Sequence, residues 1–419
     1  MTSGTMKAMV LHEPGPAESA PLRLEEVPVP VPGPGEVLLK VRACGVCHTD
    51  LHTIEGELEP HREAVVPGHQ IVGEVVALGD WPGERPPYPA ADGVPLRVGE
   101  RVGVPWLWRA DGTCKYCRSE RENLCEHPLF TGYDVDGGYA EYHVAQADFV
   151  YRLPDMDDLA VAPLLCAGII GYRALRLTGV VDDPALPGWR RTAPAEGSGA
   201  GAARPSLRRM RPPGTLGAAA GRGSDPRFAE SYPFEEEAAV VESEAAAGRL
   251  GLFGFGAAAH ICMQIAVHRG WEVYVFTRAQ HHRKLALELG AVWAGPAGGR
   301  PDTPGWVDPH HGLDAALIFA PAGELALHAL ALVEKGGIVA LGGIHSSPIP
   351  PIDYPVIYGE RVLRSVANST RQDALDLLRE AAEIPVRTEV EVFPLEAAND
   401  ALLALKQSRI GGASVLKID

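Results

Sequence analysis

From Leu250 onward the chain alternates short apolar runs with helical stretches, and the first alternation turns on Gly254-Phe255-Gly256-Ala257-Ala258-Ala259. Leu250 to Phe255 reads as a strand, and the residues after it as a helix reaching about Arg269. Trp271 to Thr277 is the next strand, and the helix from His281 to Leu289 stops at Gly290. Asp314 to Ala320, Leu325 to Val333 and Gly337 to Gly342 continue strand, helix, strand, with Val362 to Val366 as the last strand. This order predicts a doubly wound parallel sheet, because a parallel return needs a crossover long enough to hold a helix. Within the motif, Gly254 permits a tight turn. Gly256 lets backbone N–H groups approach a pyrophosphate at a helix N-terminus, and alanine is an allowed third position at Ala259. About 20 residues on, where an acid would bind the adenosine ribose, stand Thr277 and Arg278. A neutral and a basic side chain suit a 2′-phosphate, so NADP(H) is favoured over NAD(H) as cofactor.

The first part of the chain has another character. Lys7 to His12, Leu22 to Pro28, Val37 to Ala43, Gln70 to Leu78 and Val98 to Val104 read as strands. Gly73 marks a bulge or close approach, and Asp80 to Leu96 is a Pro- and Gly-rich surface loop. The strands predict an irregular β-barrel. Ala160 to Leu177 is helical in its second half. Arg371 to Ala382 and Leu395 to Gln407 read as helices, and Ala413 to Ile418 as a final strand. At 419 residues the chain exceeds what one core usually serves, so two domains are expected. Residues 182–248 are dominated by Gly, Ala, Pro and Arg and read as a disordered insertion, with Glu235 to Ala247 able to form a short helix.

The residues that carry chemistry cluster at Cys47-His48-Thr49-Asp50-Leu51-His52. Further on come His69, in Pro67-Gly68-His69-Gln70, and Cys166. Cys47, His69 and Cys166 form the donor set of a three-coordinate catalytic zinc, which acidifies a bound water or alcohol towards neutral pH. Thr49 can accept the alcohol proton, His52 can pass it to solvent, and Asp50 can orient a ligand imidazole from outside the donor set. A second group, Asp111, Cys114, Cys117 and Cys125, has the spacing of a closed structural zinc site with one oxygen ligand. Cys44 and Cys262 are left over and read as buried small hydrophobes. Trp106 and Trp108 precede the second group; tryptophans near a zinc pocket could line an apolar substrate channel, and plain packing is the alternative, equally so for Trp108.

The net charge of −16 argues against a nucleic-acid partner. No apolar run has the ~20 residues of a membrane span, and Met1 to Val10 lacks the pattern of a secretory signal. Seven cysteines then read as metal-binding or catalytic thiols before disulfides, and the cytoplasm is the expected location.

These residues resemble the zinc-dependent alcohol dehydrogenases of the medium-chain dehydrogenase/reductase superfamily, with Gly45-Val46-Cys47-His48-Thr49-Asp50-Leu51-His52 similar to the bacterial and yeast type. The resemblance implies a GroES-like catalytic domain built from residues 1–173 and 368–419. A Rossmann cofactor domain, 174–367, would carry the insertion. It implies interconversion of alcohols with aldehydes or ketones by hydride transfer. Thr49 and His52 would serve a proton relay through the cofactor ribose, His48 would contact the cofactor pyrophosphate, and Trp106 would line the substrate pocket. A homodimer or homotetramer is implied as well. A polyol or sugar dehydrogenase on the same fold, or a zinc- and nucleotide-binding protein of impaired activity, are the alternative readings. The chain departs from the family pattern at Gln70, where a glutamate is usual, at Asp111 in place of a cysteine, at Ile170 in place of a threonine, and in the insertion.

Overall fold

The computed structural model describes residues 4–80, 88–181, 246–297, 312–384 and 386–418. In the first part, β1 (Thr5–Leu11) and β2 (Leu22–Pro28) form an antiparallel pair. There follow β3 (Glu36–Val46), α1 (His48–Glu55), β4 (Gln70–Leu78), β5 (Arg101–Val104), β6 (Leu107–Arg109), β7 (Leu129–Phe130), β8 (Tyr142–Gln146) and β9 (Tyr151–Arg152). The short α2 (Asp158–Val161) and then α3 (Ala167–Leu177) lead away. The second part runs β10 (Gly248–Phe253), α4 (Ala257–His268), β11 (Trp271–Phe276), α5 (Gln280–Glu288), β12 (Trp293–Gly295), β13 (Leu313–Ile318), α6 (Glu324–Leu332), β14 (Val333–Leu341), α7 (Tyr354–Ile357) and β15 (Val362–Ser365). The chain ends with α8 (Arg371–Glu383), β16 (Val390–Pro394), α9 (Ala398–Lys406) and β17 (Ala413–Lys417).

Two sheets dominate. One is parallel throughout, in the order β12-β11-β10-β13-β14-β15, with α4, α5, α6 and α7 in its described crossovers. Its central strands are apolar on both faces, as strands covered on both sides must be. The other is a seven-stranded sheet ordered β16-β17-β3-β4-β5-β9, with β8 also on β3. The tail thus returns to the first part: β17 pairs antiparallel with the end of β3, Ser414 opposite Val46. Gly73 on β4 is a close approach, since a Cβ there would stand 2.7 Å from the Lys40 carbonyl oxygen.

Helix α3 links the two parts. Its apolar face joins a core that contains Leu164, Leu175, Ile261, Met263 and Leu377. On its other side lies a buried ion cluster. Arg176 donates to Asp373 at 2.5 Å and to Asp376 at 2.6 Å, both on α8, and Arg173 lies 3.6 Å from Asp373. Asp373 also closes the capping box of α8, accepting from the Thr370 N–H.

Several expected elements shift. The strand expected over Val98 to Val104 starts only at Arg101, because Val98 is exposed and Gly99 turns at φ 89°. The described end of the Asp80 to Leu96 loop is not all surface: Tyr88, Ala90 and Leu96 are buried and a β-bridge joins Pro89 to Pro95. Helix α6 gives way to β14 at Val333 without a loop, and Leu395 to Ala397 form a 3₁₀ turn ahead of α9. The disordered insertion expected at 182–248 lies outside the described residues as far as residue 245, as does most of the short helix expected at Glu235 to Ala247.

Candidate active site

Strand β3 delivers Cys47 to the start of α1, where it is the N-cap. Its sulfur accepts from the Thr49 N–H at 3.3 Å, while Asp50 accepts from the Cys47 N–H at 3.0 Å. Asp50 is buried and shared: its Oδ1 also accepts from the Gly68 N–H at 3.2 Å and pairs with His69 Nδ1 at 2.9 Å. His69 is thereby turned so that its Nε2 lies 3.2 Å from Cys47 Sγ. Burial alone would depress the His69 pKa, but Asp50 and Cys47 outweigh it and raise it to about 10. Cys166 stands at the N-terminus of α3, and one donor atom from each of Cys47, His69 and Cys166 lies within 4.8 Å of the others. Two sulfurs and an imidazole anchored through its second nitrogen suit zinc. Cys44 and Cys262 are fully buried, in the apolar cores.

Trp106 meets the His69 ring edge-on at 4.9 Å and stacks on Phe130 at 4.9 Å, with Tyr133 6.0 Å away. Trp108 instead is buried and donates to the Val144 carbonyl at 3.0 Å, which makes it a packing residue. Gln70 is buried against β3, where a Cβ on Gly45 would be 2.8 Å from its amide carbon.

The second group also converges: Asp111, Cys114, Cys117 and Cys125 offer donor atoms within 4.8 Å of one another. The Cys114 and Thr113 N–H groups donate to Asp111 Oδ1 at 2.9 and 2.7 Å and hold its carboxyl well below the usual carboxylate range. Burial, then the neighbouring sulfurs, push the Cys117 thiol up to about 12. The same lobe docks on the chain entering α8: Asn123 donates to the Ala367 carbonyl at 2.8 Å and the Arg371 N–H donates to Glu122 at 2.7 Å.

At the end of β10, Gly254 turns at φ 90°, and a Cβ would stand 2.8 Å from the Ala320 nitrogen. Gly256, the N-cap of α4, has no atom of the described residues within 4 Å of where its Cβ would be, so the helix N-terminus is open to a bulky anion on that side. Ala259 is fully buried and lets α4 lie close on the sheet. Thr277 is buried at the end of β11 and Arg278 is exposed. Arg283 is committed to the carbonyls of Thr277 and Arg278, both at 2.9 Å. These features fit a dinucleotide.

Thr49 and His48 occupy the first turn of α1, with His48 exposed and Thr49 half-buried. His52, one turn on, is paired with Glu57 and has His345 beside it. Glu57, His345, Phe130 and Tyr133 are neighbours of the site that the sequence reading missed. Glu57 carried a local signal, a carboxylate just past a helix-ending glycine. The others come from distant segments.

Comparison with known proteins identifies the family. Residues 33–155 match the alcohol dehydrogenase GroES-like domain family. "Probable alcohol dehydrogenase AdhA" of Mycobacterium tuberculosis is 40% identical over 419 residues, covering 100% of this chain and 99% of that protein. The acetophenone reductase of Geotrichum candidum, in complex with NAD, superposes with a TM-score of 0.71 at 22% identity, over 100% of this chain and 98% of that one. The CAD protein of Helicobacter pylori, complexed with NADP(H), gives 0.69 at 18% identity, over 99% of both chains. Fold and sequence together define an oxidoreductase that interconverts alcohols with aldehydes or ketones. The chain belongs to the zinc-type alcohol dehydrogenases of the medium-chain dehydrogenase/reductase superfamily.

Proposed function

We propose that Cys47, His69 and Cys166 hold a catalytic zinc and that Asp111, Cys114, Cys117 and Cys125 hold a structural one. The division of labour follows the domains, residues 1–173 with 368–419 carrying both metals and 174–367 the nucleotide. The observation that carries the reading is the Asp50–His69–Cys47 chain of contacts, which presents imidazole and thiol to one point. Zinc there supplies a Lewis acid that lowers the pKa of a substrate hydroxyl, and the nicotinamide supplies the hydride acceptor. The Thr49 hydroxyl takes the substrate proton, and His52 carries it outward from one turn further along α1. Trp106, stacked on Phe130, walls the pocket with apolar rings, which favours simple or aromatic alcohols over polyols. Gly254, Gly256 and Ala259 admit the pyrophosphate, with His48 beside it.

An exposed Arg278 next to Thr277, where an acid would hold an unphosphorylated ribose, supports NADP(H) over NAD(H). A homodimer or homotetramer in the cytoplasm, where reduced thiols persist, completes the reading. Elemental analysis tests it. Purified protein should carry two zinc equivalents per chain, and Cys47→Ala should lose one together with all turnover. Comparison of kcat/KM with NADPH and NADH decides the cofactor. A zinc-free protein that still oxidises alcohols would overturn the assignment.

A further inference from the structure

His52 stands at the last turn of α1 with two unlike sides. Its Nδ1 is hydrogen-bonded to the Glu57 carboxylate. Its ring centroid lies 6.4 Å from that of His48, on the same helix, and 5.8 Å from that of His345, in the segment after β14. The backbone places Glu57. Gly56 ends α1 in the left-handed region at φ 74°, and the Glu57 N–H returns to the His52 carbonyl at 3.0 Å. The His52 side chain is 16% exposed and that of Glu57 46%, so the pair runs from the interior to water. A carboxylate can only accept, so Nδ1 carries the hydrogen and Nε2 is the bare nitrogen.

We propose, building on the relay reading above, that Glu57 is a positioning residue for His52 and the outlet of the relay. A proton arriving from the substrate side binds His52 Nε2. The Nδ1 proton then passes to a Glu57 carboxylate oxygen and from there to water. The imidazole is left neutral with hydrogen on Nε2, and it returns to its starting form by proton exchange with solvent. Of the groups around the His52 ring, Glu57 supplies the negative charge, while His48 and His345 are imidazoles.

Two readouts test this. In zinc-loaded protein without nucleotide, ¹⁵N NMR should show the Nδ1–H form of His52 in the wild type and a shift towards Nε2–H in Glu57→Ala. In alcohol oxidation, Glu57→Ala should lower kcat about tenfold at neutral pH with the alcohol KM little changed. Glu57→Asp should recover part of the loss, and His345→Gln should leave both readouts as in the wild type. A wild-type tautomer and wild-type kcat in Glu57→Ala would overturn the proposal, as would losses confined to His345→Gln. A wild type that turns over no alcohol would sink the relay reading itself, which the tautomer measurement keeps separate.

Discussion

Single side chains decide how well the site is held. Asp50 accepts from three groups, the Cys47 and Gly68 N–H groups and His69 Nδ1, and contributes no ligand atom itself. Asp50→Asn keeps its size but removes the charge that fixes the imidazole. Zinc affinity, read by competition with a chelator, should fall roughly 10- to 100-fold; an unchanged affinity would show that Asp50 only caps α1. Two other histidines act on stability. Burial drives His143 and His260 to pKa values of about 4, against an ordinary 6.5. In both, a buried ring nitrogen has no hydrogen-bond partner among the described residues. The unfolded chain therefore takes up these protons first. Their contribution to stability is complete above pH 6.5 and is lost as pH falls towards 4, at up to about 1.4 kcal/mol per pH unit for each histidine. Melting curves between pH 7 and 5 should show the thermal midpoint falling, and falling less steeply in His143→Phe. Equal slopes in the two proteins would contradict it.

At the level of elements, the contact between α3 and α8 matters most, because α3 carries Cys166 at its head. Asp373 pairs with Arg176 on α3 and caps its own helix. Asp373→Ala takes one carboxylate from the buried Arg176 and should cost about 3–5 kcal/mol in urea unfolding. A cost below about 1 kcal/mol would mean that the apolar contacts alone hold the two helices. Elements differ in how far they could be read from sequence. β10, β11, β13 and β14 stood out as apolar runs each followed by a helix, whereas β12, three residues long, did not register. β6, β7 and β9 have only two or three residues, too few for any period to register. Cys47, His69 and Cys166 could be grouped by chemistry, yet their meeting depends on β3, β4 and α3 packing together. The Arg176 cluster and the approach of His345 to His52 join segments far apart in sequence, and no local pattern encodes them.

For the whole molecule, the loop lobe and the catalytic group are separate donor sets, so they can be emptied separately. Cys117→Ser should cost one zinc equivalent, lower the thermal midpoint by several degrees, and leave kcat near the wild type; an unchanged zinc count would rule out Cys117 as a ligand. The placement of β17 carries a different consequence, one of timing. Residues 414–417 fill the β3 edge at Ala43 to Val46, immediately before Cys47. During synthesis the ribosome makes that edge strand long after it has made β3, and the whole parallel sheet emerges in between. The nucleotide-binding half can therefore fold while the barrel still waits for its last strand. A nascent chain stalled before Ala413 should already bind nucleotide and yet hold no zinc at Cys47.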